Sequence, residues 1–196
     1  GTETQRGERD WTNQIAIVDG NGGVRCFHVA ASNAAAVVLD GLTIARGSTS
    51  ATAENGPAVW NGNTTGSVFG DLSVVHCTIV SNVSGKHGAI FNDWGNLSAA
   101  DSTFRGNTAV NKGGAIINYG HDLTVVRCLF SGNGAGNAGA VSYPNTAGTP
   151  SASNHNAFVD CVFSNNVAGS DGGAVVGDGN AAYDRCVFVG NSASRY

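Results

Sequence analysis

The sequence predicts an all-β fold: a right-handed parallel β-helix of about six coils. Three observations predict it. A pair of short motifs recurs along the chain. Each repeat is too short to bury its own apolar face. The composition suits strands and turns rather than helices. The 196 residues include 29 glycines and no methionine, and only 12% are charged. The only lysines are Lys86 and Lys112. Such a surface must be built from Asn, Ser, Thr and Gly, which favours pleated strands over charged amphipathic helices. A net charge of −4 with no basic run argues against a nucleic-acid partner. No apolar run reaches the ~20 residues that a membrane-spanning helix needs.

The first motif places an apolar residue three before an asparagine: Ile79…Asn82, Phe104…Asn107, Phe130…Asn133, Phe163…Asn166 and Phe188…Asn191. The copies are roughly 25 residues apart, with one longer gap between Phe130 and Phe163. The second motif falls between them: His87-Gly88-Ala89-Ile90, Gly113-Gly114-Ala115-Ile116, Ala138-Gly139-Ala140-Val141 and Gly172-Gly173-Ala174-Val175. Leu42-Thr43-Ile44 with Gly56-Pro57-Ala58-Val59 is a more diverged copy, and Arg25-Cys26-Phe27-His28-Val29 is half of an earlier one. The runs are short, rich in Val, Ile and Phe, and broken by Gly, Asn and Asp, so each reads as a strand between turns. Three short strands per unit, coiled upward, give the β-helix. A leucine-rich horseshoe lacks support without dense leucines, and a propeller blade needs ~40 residues.

The whole chain is expected to form one β-helix domain. Residues 1–35 form a diverged early coil, 36–71 a transitional coil and 72–196 the regular repeats, with a turn insertion near 143–155. The chain is expected to be a piece of a longer polypeptide, lacking one or both caps. Coils about 4.8 Å apart place equivalent residues directly above one another. Phe104, Phe130, Phe163 and Phe188 should therefore stack inside, with Ile44 and Ile79 continuing their column. Asn82, Asn107, Asn133, Asn166 and Asn191 should form a hydrogen-bonded ladder. The Gly-Ala step marks a tight corner.

Together the Phe-x-x-Asn and Gly-Gly-Ala-Ile motifs resemble the polymorphic outer-membrane-protein repeat of bacterial surface adhesins and autotransporter passengers, over Leu72 to Asn191. The opening Gly1-Thr2-Glu3-Thr4, with Arg9-Asp10-Trp11 and Ile17-Val18-Asp19-Gly20, resembles the early coils of secreted bacterial β-helix proteins of the pectin-lyase-like class. The resemblance implies a bacterial extracellular or cell-surface location. His87 and Ala138 depart from the first glycine of the second motif, and Ile79 from the phenylalanine of the first.

Five cysteines occur: Cys26, Cys77, Cys128, Cys161 and Cys186. Four of them share one column, with Ser102 and Leu42 filling its other places. In-register Cβ atoms lie a coil spacing apart and parallel, wider than a disulfide's ~3.8 Å. No zinc spacing is present. Reduced, inward thiols are expected. Just before them, His76, Asp101, Arg127, Asp160 and Arg185 form an outward column whose signs alternate from Asp101 onward, which predicts a cross-coil ion-pair ladder.

Candidates for chemistry are few, and no catalytic or metal-ligating residue is assigned. His121-Asp122 pairs an imidazole with a carboxylate, but adjacent turn residues point apart. Calcium at a coil turn is the one cofactor considered. Asp19-Gly20-Asn21-Gly22-Gly23 opens like a calcium loop, yet Ala30 stands where the closing Glu belongs. Asp171 and Asp178 do not match a calcium repeat. The binding candidates are aromatic: Trp60 and Phe91 share one repeat position, and Trp94 lies in the next turn. Exposed, they would stack on sugar rings; buried, they would pack under a loop. Asn61, Asn92 and Asn118 form a second asparagine column beside them, either a structural ladder or a row of hydroxyl-binding amides.

Even repetition without concentrated polar chemistry points to a non-enzymatic surface protein: a rigid stalk, an adhesive passenger or an assembly module. Its expected partners are a glycan, another surface protein or further copies joined end to end or side by side. The alternative is a polysaccharide lyase or glycoside hydrolase of the pectin-lyase-like class. That chemistry needs acid and base groups converging on one groove.

Overall fold

The computed structural model describes residues 15–30, 36–50, 54–62, 70–144 and 154–195. Every element in them is a strand, and every pairing is parallel. The chain winds as a right-handed β-helix, adding one strand to each of four sheets per turn. The first sheet holds Val37–Asp40, Leu72–Val75, Leu97–Ala100, Leu123–Val126, His155–Val159 and Asn180–Asp184. The second holds Ala16–Asp19, Leu42–Ala45, Thr78–Val80, Thr103–Arg105, Leu129–Ser131, Val162–Ser164 and Val187–Val189. The third holds Ser48–Thr49, Val83–Ser84, Thr108–Lys112, Gly134–Asn137, Val167–Ala168 and Ser192–Ala193. The fourth holds Phe27–Val29, Val59–Asn61, Ile90–Asn92, Ile116–Asn118, Val141–Tyr143 and Val175–Gly177.

Four strands per coil corrects the expected three. The extra one follows the ladder asparagine and is mostly two residues long. It turns inward only a small side chain, such as Ser84, Ala109 or Ala168. Two residues carry no readable alternation, so the element is invisible to periodicity.

The second sheet carries the predicted phenylalanine column. Phe104, Phe130 and Phe163 are fully buried. Their rings stack in register, with centroids 4.7 Å apart for Phe104–Phe130 and 4.8 Å for Phe130–Phe163. Phe188 continues the stack at 4.7 Å but is 48% exposed, on the last described coil. Ile44 and Ile79 extend the column the other way. The first sheet supplies the facing wall, with Leu72, Leu97 and Leu123 stacked in register. Asn156 takes the next place in that leucine column.

Two corners use the same device. After each first-sheet strand, one residue adopts the left-handed conformation: Gly41, His76, Asp101, Arg127, Asp160 and Arg185. After the second-sheet strands, Arg46, Ser81, Gly106, Gly132, Asn165 and Gly190 do the same. A single positive-φ residue swings the chain into the next sheet, and its side chain points to solvent. This is why the charged column faces outward. Arg127 is paired with Asp101 and Arg185 with Asp160, at 2.6 and 2.7 Å, while Arg46 meets Asp19. His76 Nδ1 lies 3.0 Å from Asp40.

The ladder behind the second corner is complete. Each Asn Nδ2 donates to the next coil's Oδ1, from Asn82 to Asn107 (2.9 Å), Asn133 (3.0 Å), Asn166 (2.9 Å) and Asn191 (2.8 Å). The second amide hydrogen goes to a carbonyl one coil back, such as Phe104 O for Asn133. The Oδ1 also accepts a backbone N–H, so the buried amide is satisfied throughout.

All five cysteines are free. The column is less passive than small apolar filling. Cys128 and Cys161 donate to the carbonyls two residues earlier, Val126 and Val159, at 3.4 and 3.3 Å. Ser102 makes the same bond to Ala100 at 2.7 Å, which explains how a hydroxyl replaces a thiol there. Burial pushes the Cys128 thiol up to about 12. Cys26 lies outside this column, opposite Ala58 at the start of the fourth sheet.

The second motif divides into two roles. Its first residue is left-handed in Gly56, Gly113, Ala138 and Gly172. Where its second is glycine there is no room for a side chain: a Cβ on Gly139 would lie 2.1 Å from Gly173 O. Phe130→Ala should lose about 3–5 kcal/mol in a chemical melt through the cavity it leaves. Gly139→Ala should lose about 1–3 kcal/mol by forcing two coils apart. Under native conditions at pH 8, iodoacetamide should leave Cys128 and Cys161 unmodified, whereas denaturant should release five reactive thiols by mass spectrometry.

Candidate functional site: an aromatic corner on the fourth sheet

Fourth-sheet strands alternate in–out–in. Val59, Ile90, Ile116 and Val141 point into the core, and so do Asn61, Asn92 and Asn118 two residues on. The middle residues Trp60, Phe91, Ile117 and Ser142 lie in register on the outer face.

Asn61, Asn92 and Asn118 are buried. Asn61 Nδ2 donates to Asn92 Oδ1 at 2.7 Å, and Asn92 Nδ2 to Asn118 Oδ1 at 2.6 Å. The remaining amide hydrogens meet turn carbonyls, Gly95 O for Asn92 and His121 O for Asn118. Of the two readings of this column, it is the structural ladder. It ends at Tyr143, which takes the next asparagine place and directs its hydroxyl to Tyr183, 2.7 Å away. Gly177 follows because the Tyr143 ring lies where its Cβ would be.

The aromatic candidates separate. Phe91 is not a surface residue: it is 5% exposed, beneath His87 and Tyr119. Trp60 is half-buried, with the His28 ring stacked on it at 4.1 Å and the Arg25 guanidinium 4.9 Å from its centroid. Its Nε1 is buried without a hydrogen-bond partner. Trp94, also half-buried, sits edge-on to His121 in the neighbouring turn. The structure therefore places Trp60 and Phe91 side by side in adjacent coils, and Trp94 one turn away.

The sequence marks His87 as a departure from the motif glycine without counting it among the binding residues, and it is the residue that organises this corner. His87 stands where other coils have the left-handed first residue of the motif. The positive φ moves to Gly88 instead. The imidazole then lies across the outer face, near-parallel to Phe91 at 6.3 Å and edge-on to Tyr119 at 5.8 Å. It is 7% exposed; Nε2 is 3.5 Å from the Tyr119 hydroxyl, and Nδ1 has no partner. Burial, then the charges of Lys86 and Lys112, hold its pKa down to about 4. Burial raises the Asp93 carboxyl, against the pull of Lys86. Burial and Asp93 raise the Tyr119 phenol. The signal was available: a histidine in a glycine's place marks an altered backbone.

The corner thus gathers His87, Tyr119, Asp93, Lys86 and Lys112. His121 and Asp122 are apart from it, in the turn where Asp122 Oδ1 accepts the His155 N–H at 2.7 Å. Among the described residues, no group of three His, Cys, Asp or Glu side chains could hold a metal ion, and no helix is long and apolar enough to cross a membrane. Two segments, residues 101–118 and 160–178, match the Chlamydia polymorphic membrane protein repeat. Each runs from a left-handed corner residue, Asp101 or Asp160, through the phenylalanine and ladder asparagine to the Gly-Gly-Ala step. The repeat points to a bacterial surface protein. Neither the curated proteins nor the solved structures gave a match.

His87 binds no proton in the native state above about pH 4, whereas the unfolded chain's histidine protonates below about 6.5. Stability from this group is full above pH 6.5 and is lost as pH falls towards 4. His87→Gly, which restores the motif glycine, should reduce the loss between urea melts at pH 7 and pH 4.5 by on the order of 1–3 kcal/mol.

Proposed function

We propose that this chain is a rigid rod segment of a bacterial surface protein, acting as a stalk that presents its outer faces for adhesion. One observation carries the reading: coil after coil repeats the same ladder and the same ring stack, within a repeat matched to polymorphic membrane proteins. Such stacking gives stiffness along one axis. At about 4.8 Å per coil, six coils make a rod of roughly 29 Å. The corner around His87 supports presentation rather than turnover, because the imidazole is 7% exposed and its pKa, held down to about 4, makes it a weak base. A lyase needs a base in reach of its substrate's proton.

Antibodies raised against the folded chain should label intact, unpermeabilised cells of the source bacterium. They should also block adhesion of those cells to host or abiotic surfaces. Labelling only after permeabilisation would refute the surface location. Release of unsaturated products or reducing ends from a polysaccharide panel would refute the stalk.

A further inference from the structure

The outer corners of this β-helix follow a rule that one place breaks. Where charges stack across coils they are opposite: Asp19 with Arg46, Asp101 with Arg127, Asp160 with Arg185. Opposite charges at a coil spacing stabilise register, and like charges there are destabilising. Lys86 and Lys112 are the chain's only lysines, and they fall in adjacent coils at one corner. The backbone sets them one residue out of register, with Lys112 opposite His87: Asn111 N–H donates to Lys86 O at 2.8 Å, and Gly88 N–H to Lys112 O at 3.1 Å. Neither forms an ion pair among the described residues. A stalk gains nothing from two ammonium groups without ion-pair partners beside a buried imidazole.

The second observation is that imidazole. His87 bridges to Lys112 in the ladder, is 7% exposed, and leaves Nδ1 unpartnered in the same corner. Tyr119 and Asp93 contribute a hydroxyl and a carboxylate. Such groups are hydrogen-bond partners for the hydroxyls beside a sugar's charged substituent. An oxyanion at this corner would give the two lysines the ion-pair partner they lack.

We infer that the corner formed by Lys86, His87 and Lys112 binds the carboxylate or sulfate of an acidic glycan, with sugar hydroxyls held by Tyr119 and Asp93. The site deepens the surface reading and rests on it for its biological setting. Its chemistry stands apart from location: local charge is positive on a chain whose net charge is −4.

The test is isothermal titration of the whole chain at low salt with three hexasaccharides: hyaluronan (carboxylate), heparin (sulfate) and chitin (neutral). At least one acidic oligosaccharide should bind saturably and more weakly as salt rises, and the neutral one should not. Which acidic probe binds identifies the oxyanion. The Lys86→Ala/Lys112→Ala double variant should weaken binding at least about tenfold. Each single variant, which keeps one ammonium, should fall between, and Arg127→Ala should bind as the parent does. Circular dichroism of each variant reports folding. Failure of both acidic probes to bind, equal binding of the chitin probe, or unchanged binding by folded single and double variants would overturn the proposal. Acidic binding by a protein that antibodies fail to find on intact cells would retain the site and refute the location.

Discussion

One spacing governs this molecule: the distance between successive coils. Parallel hydrogen bonding sets it near 4.8 Å. Aromatic rings, asparagine amides, thiol-bearing corners and ion pairs must all repeat at that interval or be excluded. Phenylalanine meets the condition because flat rings stack at 4.7–4.8 Å with interplanar angles of a few degrees. Asparagine meets it because an amide is both donor and acceptor along the same axis. Glycine meets it where the corner leaves no space for a Cβ, as at Gly114 and Gly139. The amino-acid composition, odd for a globular chain, follows from a single translation.

The same constraint explains which features could be read from the sequence. Distinctive side chains that recur once per coil were legible: the phenylalanine column, the ladder from Asn82 to Asn191, the cysteine column and the outward charges. Phe130, Asn133 and Arg127 each occupy the environment their spacing assigned. The short third-sheet strand was not legible, since Val83–Ser84 and Val167–Ala168 are too brief to show a period. Nor was the burial of Phe91. Its column predicts an outward direction correctly, but what covers an outward residue is decided by neighbours in other coils. The insertion expected near 143–155 lies largely outside the described residues, as does most of the chain's opening.

Departures from the repeat carry the individuality of the protein. His87 in place of glycine shifts the left-handed residue by one position and turns an imidazole across the fourth sheet. Tyr143 ends an asparagine ladder and requires Gly177 beneath its ring. Asn156 interrupts a leucine column and keeps one buried oxygen without a partner. These changes fall in or just before the fourth-sheet strands and at the start of a first-sheet strand, while the second sheet stays regular. The regular side supplies stability; the irregular side supplies a distinct surface.

The asparagine ladders have a direction. Asn82 donates forward to Asn107, and so on to Asn191; Asn61 donates forward through Asn92 to Asn118. Both files of amides are oriented alike, so their bond dipoles reinforce one another. A coil therefore has unlike upper and lower faces, one offering amide hydrogens and the other oxygens. A rod of this kind is vectorial: coils can be appended only in the same sense, and two such ends placed face to face in mirror fashion would set donor against donor.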